Sequence, residues 1–86
     1  MQKVTMYTSS YCPYCVMAKR LLAQYGVTEV EEVRIDRDAE QYAYMQEVTG
    51  LRSVPQIFIG ETHVGGFDSL NALNRAGQLA TLLNGE

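Results

Sequence analysis

Two cysteines, Cys12 and Cys15, lie near the start of this 86-residue chain with only Pro13 and Tyr14 between them. Proline suits the first position of a helix, because its missing N–H is not needed there. The spacing therefore predicts that Cys12 stands at a helix N-terminus and that Cys15 lies one turn further on. Free backbone N–H groups at such a terminus stabilise a thiolate, which is the reactive form of cysteine. We predict that Cys12 is the exposed attacking thiolate and that Cys15 is the more buried resolving thiol.

Two other uses of a cysteine pair lack the partners that they require in the sequence. A structural zinc site normally takes four protein ligands, and only His63 is available as a further Cys or His. A c-type haem site needs a histidine directly after the second cysteine, where this chain has Val16. We therefore expect a redox pair and no metal site, and we assign His63 to a surface hairpin without a catalytic role.

Composition and charge narrow the class of protein. Apolar residues make up 47% of the chain, which indicates a packed globular protein, and the length suits one domain over residues 1–86. A net charge of −3 with seven Lys and Arg residues provides no basic surface for nucleic acid. No segment resembles a signal peptide or a membrane span, so we expect a soluble cytoplasmic protein that contacts no membrane. In a reducing cytosol, a lone close pair of cysteines is more often catalytic than structural.

Periodicity and turn signals predict a βαβ unit followed by a ββα unit. The predicted strands cover residues 3–7, 30–35, 55–60 and 62–64, and the last two form a hairpin. The first two predicted helices run from Pro13 to Gly26 and from Asp36–Asp38 to Thr49. The last helix is predicted to be capped by Asp68 and interrupted at Gly77.

Three short motifs occur in order along the chain: Cys12-Pro13-Tyr14-Cys15, Ser53-Val54-Pro55 and Gly65-Gly66-Phe67-Asp68. In this combination the chain resembles the glutaredoxin family, and specifically its short bacterial dithiol form, over essentially its whole length. The resemblance implies a thioredoxin-like α/β fold, in which a four-stranded mixed sheet carries helices on both faces. It also implies a cis peptide bond before Pro55, which is uncommon among X-Pro bonds in general.

The same resemblance implies an activity and a co-substrate. Members of the family are glutathione-dependent thiol–disulfide oxidoreductases, so the chain is expected to reduce protein–glutathione mixed disulfides and protein disulfides through Cys12 and Cys15. Glutathione is the expected co-substrate. The expected partners are glutathionylated or disulfide-bonded proteins, with ribonucleotide reductase as one candidate, and the expected state is a monomer.

The resemblance also assigns residues to glutathione. Tyr14 is expected to pack beside it, and the Val54 backbone is expected to pair with its cysteinyl segment as a short added strand. Phe67 and Asp68, with Ser69 as a weaker candidate, are expected to hold the γ-glutamyl end, with Asp68 meeting its ammonium group.

The glycyl carboxylate is assigned to Arg52, with Gln41 as a second candidate. The chain departs from the family pattern at Ser9, where many relatives have a lysine, and this reduces cationic support for the thiolate. The full implied glutathione-binding set is Tyr14, Arg52, Ser53, Val54, Pro55, Gly66, Phe67 and Asp68.

Two alternatives to this function remain open from the sequence. The chain could be reduced by thioredoxin reductase instead of glutathione, and the serine at position 9 is compatible with this alternative. Alternatively, two chains could share an iron–sulfur cluster through Cys12 of each chain and two glutathione thiols. Pro13 is evidence against the cluster, because relatives with this Pro-Tyr pair between the cysteines generally favour redox activity over stable cluster binding.

Overall fold

The computed structural model describes residues 1–85, which form four strands and four helices. The strands are β1 (Val4–Thr8), β2 (Glu31–Arg34), β3 (Gln56–Ile59) and β4 (Thr62–Gly65). The helices are α1 (Pro13–Gln24), α2 (Ala39–Thr49), α3 (Phe67–Arg75) and α4 (Leu79–Asn84). Within the described residues, no helix is both long and apolar enough to cross a membrane.

The four strands form one mixed sheet in the order β2-β1-β3-β4. β1 runs parallel to β2, and parallel neighbours need a crossover connection, which α1 provides. β1 also pairs antiparallel with β3, which continues into β4 as the predicted hairpin. The predicted βαβ unit, the hairpin and the four-stranded mixed sheet are therefore confirmed.

Each face of the sheet is covered by helices, as expected. Alternate residues of a strand point to opposite faces. On one face, Val4 and Met6 of β1 are buried with residues of β3, α1, α3 and α4. On the other face, Tyr7 is buried, and α2 contributes the buried Met45 outside that cluster. The first cluster contains Val4, Met6, Cys15, Ala18, Leu21, Leu22, Val27, Ile57, Ile59, Leu70, Leu79 and Leu83.

The ends of α1 and α2 follow from residues identified in the sequence. The Asp38 side chain accepts hydrogen bonds from the backbone N–H groups of Glu40 and Gln41, which caps α2. Gly50 ends the same helix in a left-handed conformation with φ of 72°. Gly26 likewise follows α1 with φ of 83°. These predicted boundaries are confirmed.

One prediction about the last helical segment is wrong, and one is confirmed. The Asp68 side chain does not cap α3: the hairpin leaves Gly66 extended (φ −87°, ψ −169°), and helical geometry begins at Phe67, so Asp68 already lies inside the first turn. The predicted interruption at Gly77 is confirmed, and it divides the segment into two helices, α3 and α4. Gly77, with φ of 71°, ends α3, and the N–H of Gln78 returns to the carbonyl of Leu73, as in a Schellman motif.

Candidate active site

Cys12 and Cys15 are joined by a disulfide bond, with 5.2 Å between their Cα atoms. Cys12 is the residue that precedes α1, and Pro13 is the first residue of the helix, as the spacing predicts. Cys12 is half-buried, whereas Cys15 is only 2% exposed and belongs to the core cluster. Cys12 is therefore the sulfur that a partner could approach first.

Backbone donors of α1 converge on Cys12. The N–H of Cys15 donates to Cys12 Sγ across 3.2 Å. The N–H groups of Cys15 and Val16 also lie 3.1 and 3.2 Å from the Cys12 carbonyl oxygen. The residues of the first turn of α1 are uncharged, so the partial positive charge of the helix N-terminus is not offset there by a carboxylate. This environment favours a thiolate on Cys12 when the disulfide is reduced.

A carboxylate outside the predicted site anchors the loop that leads to Cys12. Asp36, just after β2, accepts the backbone N–H of Ser10 at 3.1 Å. It also accepts both Nε and Nη2 of Arg34, each at 2.9 Å. These hydrogen bonds, from Arg34 first and then Ser10, hold the pKa of Asp36 well below its usual range. The 9–11 loop is thereby tied to the end of β2.

A groove of about 370 Å³ brings together three separate segments of the chain. Seven of the eight residues assigned to glutathione line it, and Ser69 lines it too. Arg52 is exposed and lies outside the lining, as does Gln41, which is half-buried in α2. The lining residues are Tyr14, Ser53, Val54, Pro55, Gly66, Phe67, Asp68 and Ser69.

A larger depression of about 560 Å³ lies elsewhere, between residues 1–4 and 26–31, and none of the residues of the three motifs lines it. Volume alone therefore does not locate the site. The 370 Å³ groove is distinguished by its chemistry, because Tyr14 belongs to the first turn of α1 and Cys12, Val54 and Phe67 pack against the same core.

The two aromatic rings of the groove lie against each other. The centroids of Tyr14 and Phe67 are 6.3 Å apart and their planes differ by 29°. Tyr14 remains 58% exposed, so most of its ring is available to a ligand. The rings give the groove an apolar wall on the side of α1.

Polar backbone groups face the groove from its other two segments. The Val54–Pro55 peptide bond is cis, as the family resemblance implies. Among residues 1–85, the backbone N–H and C=O of Val54 have no hydrogen-bond partner. The N-terminus of α3 receives no side-chain cap from Gly66, and the first N–H groups of a helix lack intrahelical acceptors. Asp68 contributes the only charge to the lining within the described residues.

Three polar residues near this site were given no role in it from the sequence. Asp36 gave a local signal, since it lies two residues after Arg34, to which it is hydrogen-bonded just beyond the end of β2. Gln56 gave another, since it is a polar residue in an otherwise apolar strand and is buried in the structure. His63, to which we assigned no role, is hydrogen-bonded to Gln56. Among residues 1–85, no three His, Cys, Asp or Glu side chains form a cluster that could hold a metal ion.

A Cys-x-x-Cys disulfide at a helix N-terminus of a thioredoxin-like fold defines the class of thiol–disulfide oxidoreductases. Comparison with known families narrows that class, because the model of the family described as "Glutaredoxin" matches residues 4–64. The glutaredoxin of Neisseria meningitidis serogroup A is 60% identical over 84 residues, which cover 98% of this chain and 99% of that protein. The chain belongs to the glutaredoxin family.

Solved structures agree with this assignment. The solution structure of glutaredoxin from Brucella melitensis is 47% identical with a TM-score of 0.81, and the match covers 96% of this chain and 89% of that one. The crystal structure of a buckwheat glutaredoxin–glutathione complex is 31% identical with a TM-score of 0.85, covering 96% of this chain and 77% of that one. The thioredoxin-like α/β fold predicted from the sequence is confirmed.

Proposed function

We propose that this protein is a glutathione-dependent thiol–disulfide oxidoreductase that reduces protein–glutathione mixed disulfides and protein disulfides. The observation that carries the proposal is the groove formed by Tyr14, the 53–55 loop and the N-terminus of α3, which shares Tyr14 with α1, the helix that directly follows Cys12. We expect the protein to act as a monomer, as one domain over residues 1–86, in the cytoplasm, where the glutathione pool is reduced.

The N-terminus of α3 suits the γ-glutamyl end of glutathione, which carries a carboxylate and an ammonium group. An uncapped helix N-terminus favours an anion because its N–H groups and dipole point toward it. We assign the α-carboxylate to the N–H groups of Phe67 and Asp68. The Asp68 carboxylate, exposed beside them, is assigned to the ammonium group.

The middle of the groove suits the cysteinyl residue of glutathione. The unpaired N–H and C=O of Val54 can bind an extended peptide as a short added strand. Tyr14 covers the same ligand from the side of α1. We assign the glycyl carboxylate of glutathione to Arg52. Because Arg52 lies outside the lining and is exposed, it would act from the rim, where solvent weakens an ion pair.

The reaction with a glutathionylated protein needs only Cys12. Its thiolate attacks the glutathione sulfur of the protein–S–S–glutathione bond, which breaks to release the protein thiolate and leaves glutathione bound to Cys12 by a disulfide. The protein thiolate takes a proton from water. A second glutathione thiolate then attacks the bound glutathione sulfur, which yields glutathione disulfide and restores the Cys12 thiolate.

Cys15 enters when the substrate is a protein disulfide. Cys12 forms a mixed disulfide with one substrate sulfur, and Cys15 attacks Cys12 Sγ to release that sulfur as a thiol. The product is the Cys12–Cys15 disulfide, the state that the structure contains. Two molecules of glutathione reduce it and leave as glutathione disulfide. The low exposure of Cys15 suits this internal role, because a large substrate cannot reach it directly.

The test compares Cys12→Ser and Cys15→Ser with the wild type on a glutathionylated peptide, with reduced glutathione as the electron donor. Cys12→Ser should abolish turnover, and Cys15→Ser should retain much of it. Both variants should lose the reduction of a protein disulfide. Repeating the wild-type assay with thioredoxin reductase in place of glutathione tests which electron donor reduces the protein.

Three outcomes would contradict the proposal. Full activity of Cys12→Ser would remove the assigned nucleophile. Turnover with thioredoxin reductase but not with glutathione would give the protein a different donor. A stable coloured dimer after anaerobic reconstitution with iron and sulfide, together with no turnover, would make it a cluster-binding protein.

A further inference from the structure

His63 on β4 is connected to the interior of the protein despite its exposed position in the hairpin. Its ring stacks on Phe58 of the neighbouring strand, with centroids 4.9 Å apart and planes inclined by 30°. Its Nε2 lies 2.7 Å from Oε1 of Gln56, the first residue of β3. Gln56 is only 1% exposed, so His63 is the surface end of a buried polar contact.

Gln56 continues this connection to the loop that lines the groove. Its Nε2 donates to the backbone carbonyl of Ser53 at 3.0 Å and to the Ser53 hydroxyl at 3.3 Å. A carbonyl oxygen can only accept, so the NH₂ end of the Gln56 amide must face Ser53. The oxygen end then faces His63, which must donate through Nε2–H. The three residues thus form a directed chain of hydrogen bonds from His63 to Ser53.

This chain determines the direction of a backbone donor in the groove. The Ser53 carbonyl and the Val54 N–H belong to one peptide group, and that group is trans, since Val54–Pro55 is the one cis bond in residues 1–85. In a planar trans peptide the C=O and N–H point in opposite directions. By holding the Ser53 carbonyl, Gln56 therefore directs the Val54 N–H away from itself.

We propose that His63 is a positioning residue, which orients the Gln56 amide and thereby the Val54 N–H that binds the cysteinyl segment of glutathione. The inference rests on the proposed function for the identity of that ligand. Without the donor on His63, Gln56 Oε1 loses its protein partner, and only the hydrogen bonds to Ser53 hold the amide. The Ser53–Val54 peptide is then held less rigidly, and the hydrogen bond to glutathione weakens.

Two variants of His63 separate its hydrogen bond from its packing. His63→Phe keeps an aromatic ring over Phe58 and removes the donor. His63→Gln gives up the ring and keeps an amide N–H donor at a similar distance from the backbone. Thr62→Ala, at an exposed neighbouring position of the same strand, is the matched control.

Steady-state kinetics on a glutathionylated peptide provide the first measurement. Loss of one net hydrogen bond should raise KM about two- to tenfold in His63→Phe. The value of kcat should stay unchanged, because the Val54 contact binds the substrate equally in the ground and transition states. His63→Gln should restore KM toward that of the wild type. A loss of stability alone would not produce this division between KM and kcat.

The amide NMR signal of Val54 provides a second measurement, which needs no activity. It should shift in His63→Phe and return in His63→Gln, with Thr62→Ala like the wild type. Unchanged KM and an unchanged Val54 signal in His63→Phe would overturn the inference, as would an equal rise of KM in both His63 variants. A wild-type protein without glutathione turnover would refute the proposed function instead, and the Val54 signal would still decide whether His63 orients that amide.

Discussion

The backbone N–H of Cys15 donates a hydrogen bond to Cys12 Sγ across 3.2 Å. The donor belongs to the first turn of α1, so the helix presents both a hydrogen bond and its positive end to this sulfur. The sulfur of Cys15 is enclosed by core residues instead. One turn of helix therefore gives the two cysteines opposite electrostatic environments.

This difference predicts opposite reactivity in the two single-cysteine variants. In Cys15→Ser the remaining Cys12 keeps the N–H donor of residue 15, so its rate of alkylation should reach half its maximum at a pH below about 8.5, the pKa of a free thiol. In Cys12→Ser the remaining Cys15 is buried among apolar residues, and its rate should rise only above that pH. The measurement is the rate of iodoacetamide modification against pH. Identical profiles for the two variants would contradict the assignment.

Asp68 should control binding of the γ-glutamyl ammonium group. It is the only charged residue in the groove lining among residues 1–85, and it lies in the first turn of α3 without capping it. Asp68→Asn should raise KM for a glutathionylated peptide about five- to tenfold. The effect is modest because solvent weakens the interaction of an exposed charged group.

The test of that prediction pairs the variant with an altered substrate. A glutathione analogue that lacks the γ-glutamyl amine should show the same KM with wild type and Asp68→Asn, because the partner of the carboxylate has been removed. Glu61→Gln, an exposed charge change in the hairpin turn, is the control and should leave both values unchanged. A loss of equal size with the analogue would show that Asp68 acts on something other than the ammonium group.

The helices and strands were predictable because their signals are local, whereas the groove residues were assigned through the resemblance to the glutaredoxin family. Pro13 after Cys12 marks the start of α1, and Asp38 and Gly50 bracket α2, each through backbone hydrogen bonds within a few residues. Gly66, Phe67 and Asp68, which the resemblance assigns to glutathione, line the groove. The residue preference for helix N-caps failed at Asp68. Gly66 and Asp68 are both acceptable residues before a helix, and the extended backbone at the end of the hairpin places Gly66 in that position.

The connection between His63 and Gln56 could not be predicted from spacing along the chain. It depends on the register of β3 and β4, which pairs Phe58 with His63 and shifts between Ile57 and Phe58. A shift of one residue would have pointed the imidazole to the other face of the sheet. Such irregularities are set by how the hairpin packs, and no short motif in the sequence encodes them.

The hydrogen bonds of Asp36 predict a dependence of stability on pH. They lower the pKa of Asp36 in the folded protein below its unfolded value of 3.8, so protonation favours unfolding. This stabilisation is complete above the unfolded pKa and is lost as the pH falls from about 5 toward the depressed folded value. Asp36→Asn should therefore have a lower midpoint of urea unfolding than the wild type at about pH 7, and the difference should shrink as the pH falls to about 2.

A variant of Arg34, the main hydrogen-bond partner of Asp36, provides the control for this prediction. Arg34→Gln removes the hydrogen bonds that lower the pKa of Asp36 most, so this variant should lose part of the same pH dependence. A difference between Asp36→Asn and the wild type that is as large at about pH 2 as at about pH 7 would show that the aspartate stabilises the protein without its charge.

Gly65 and Gly66 offer a matched comparison of backbone requirements at the rim of the groove. Gly65 has φ of 111°, which other residues rarely adopt, and a Cβ there would lie 3.2 Å from Ser69 Oγ. Gly66 has φ of −87°, and its Cβ would meet the Pro55 carbonyl oxygen at an ordinary 3.6 Å. Gly65→Ala should therefore lower the free energy of unfolding by about 1–3 kcal/mol. Gly66→Ala should change it by less than about 1 kcal/mol. Urea denaturation of both variants measures the difference, and equal losses would show that the backbone angle at Gly65 is not what requires glycine.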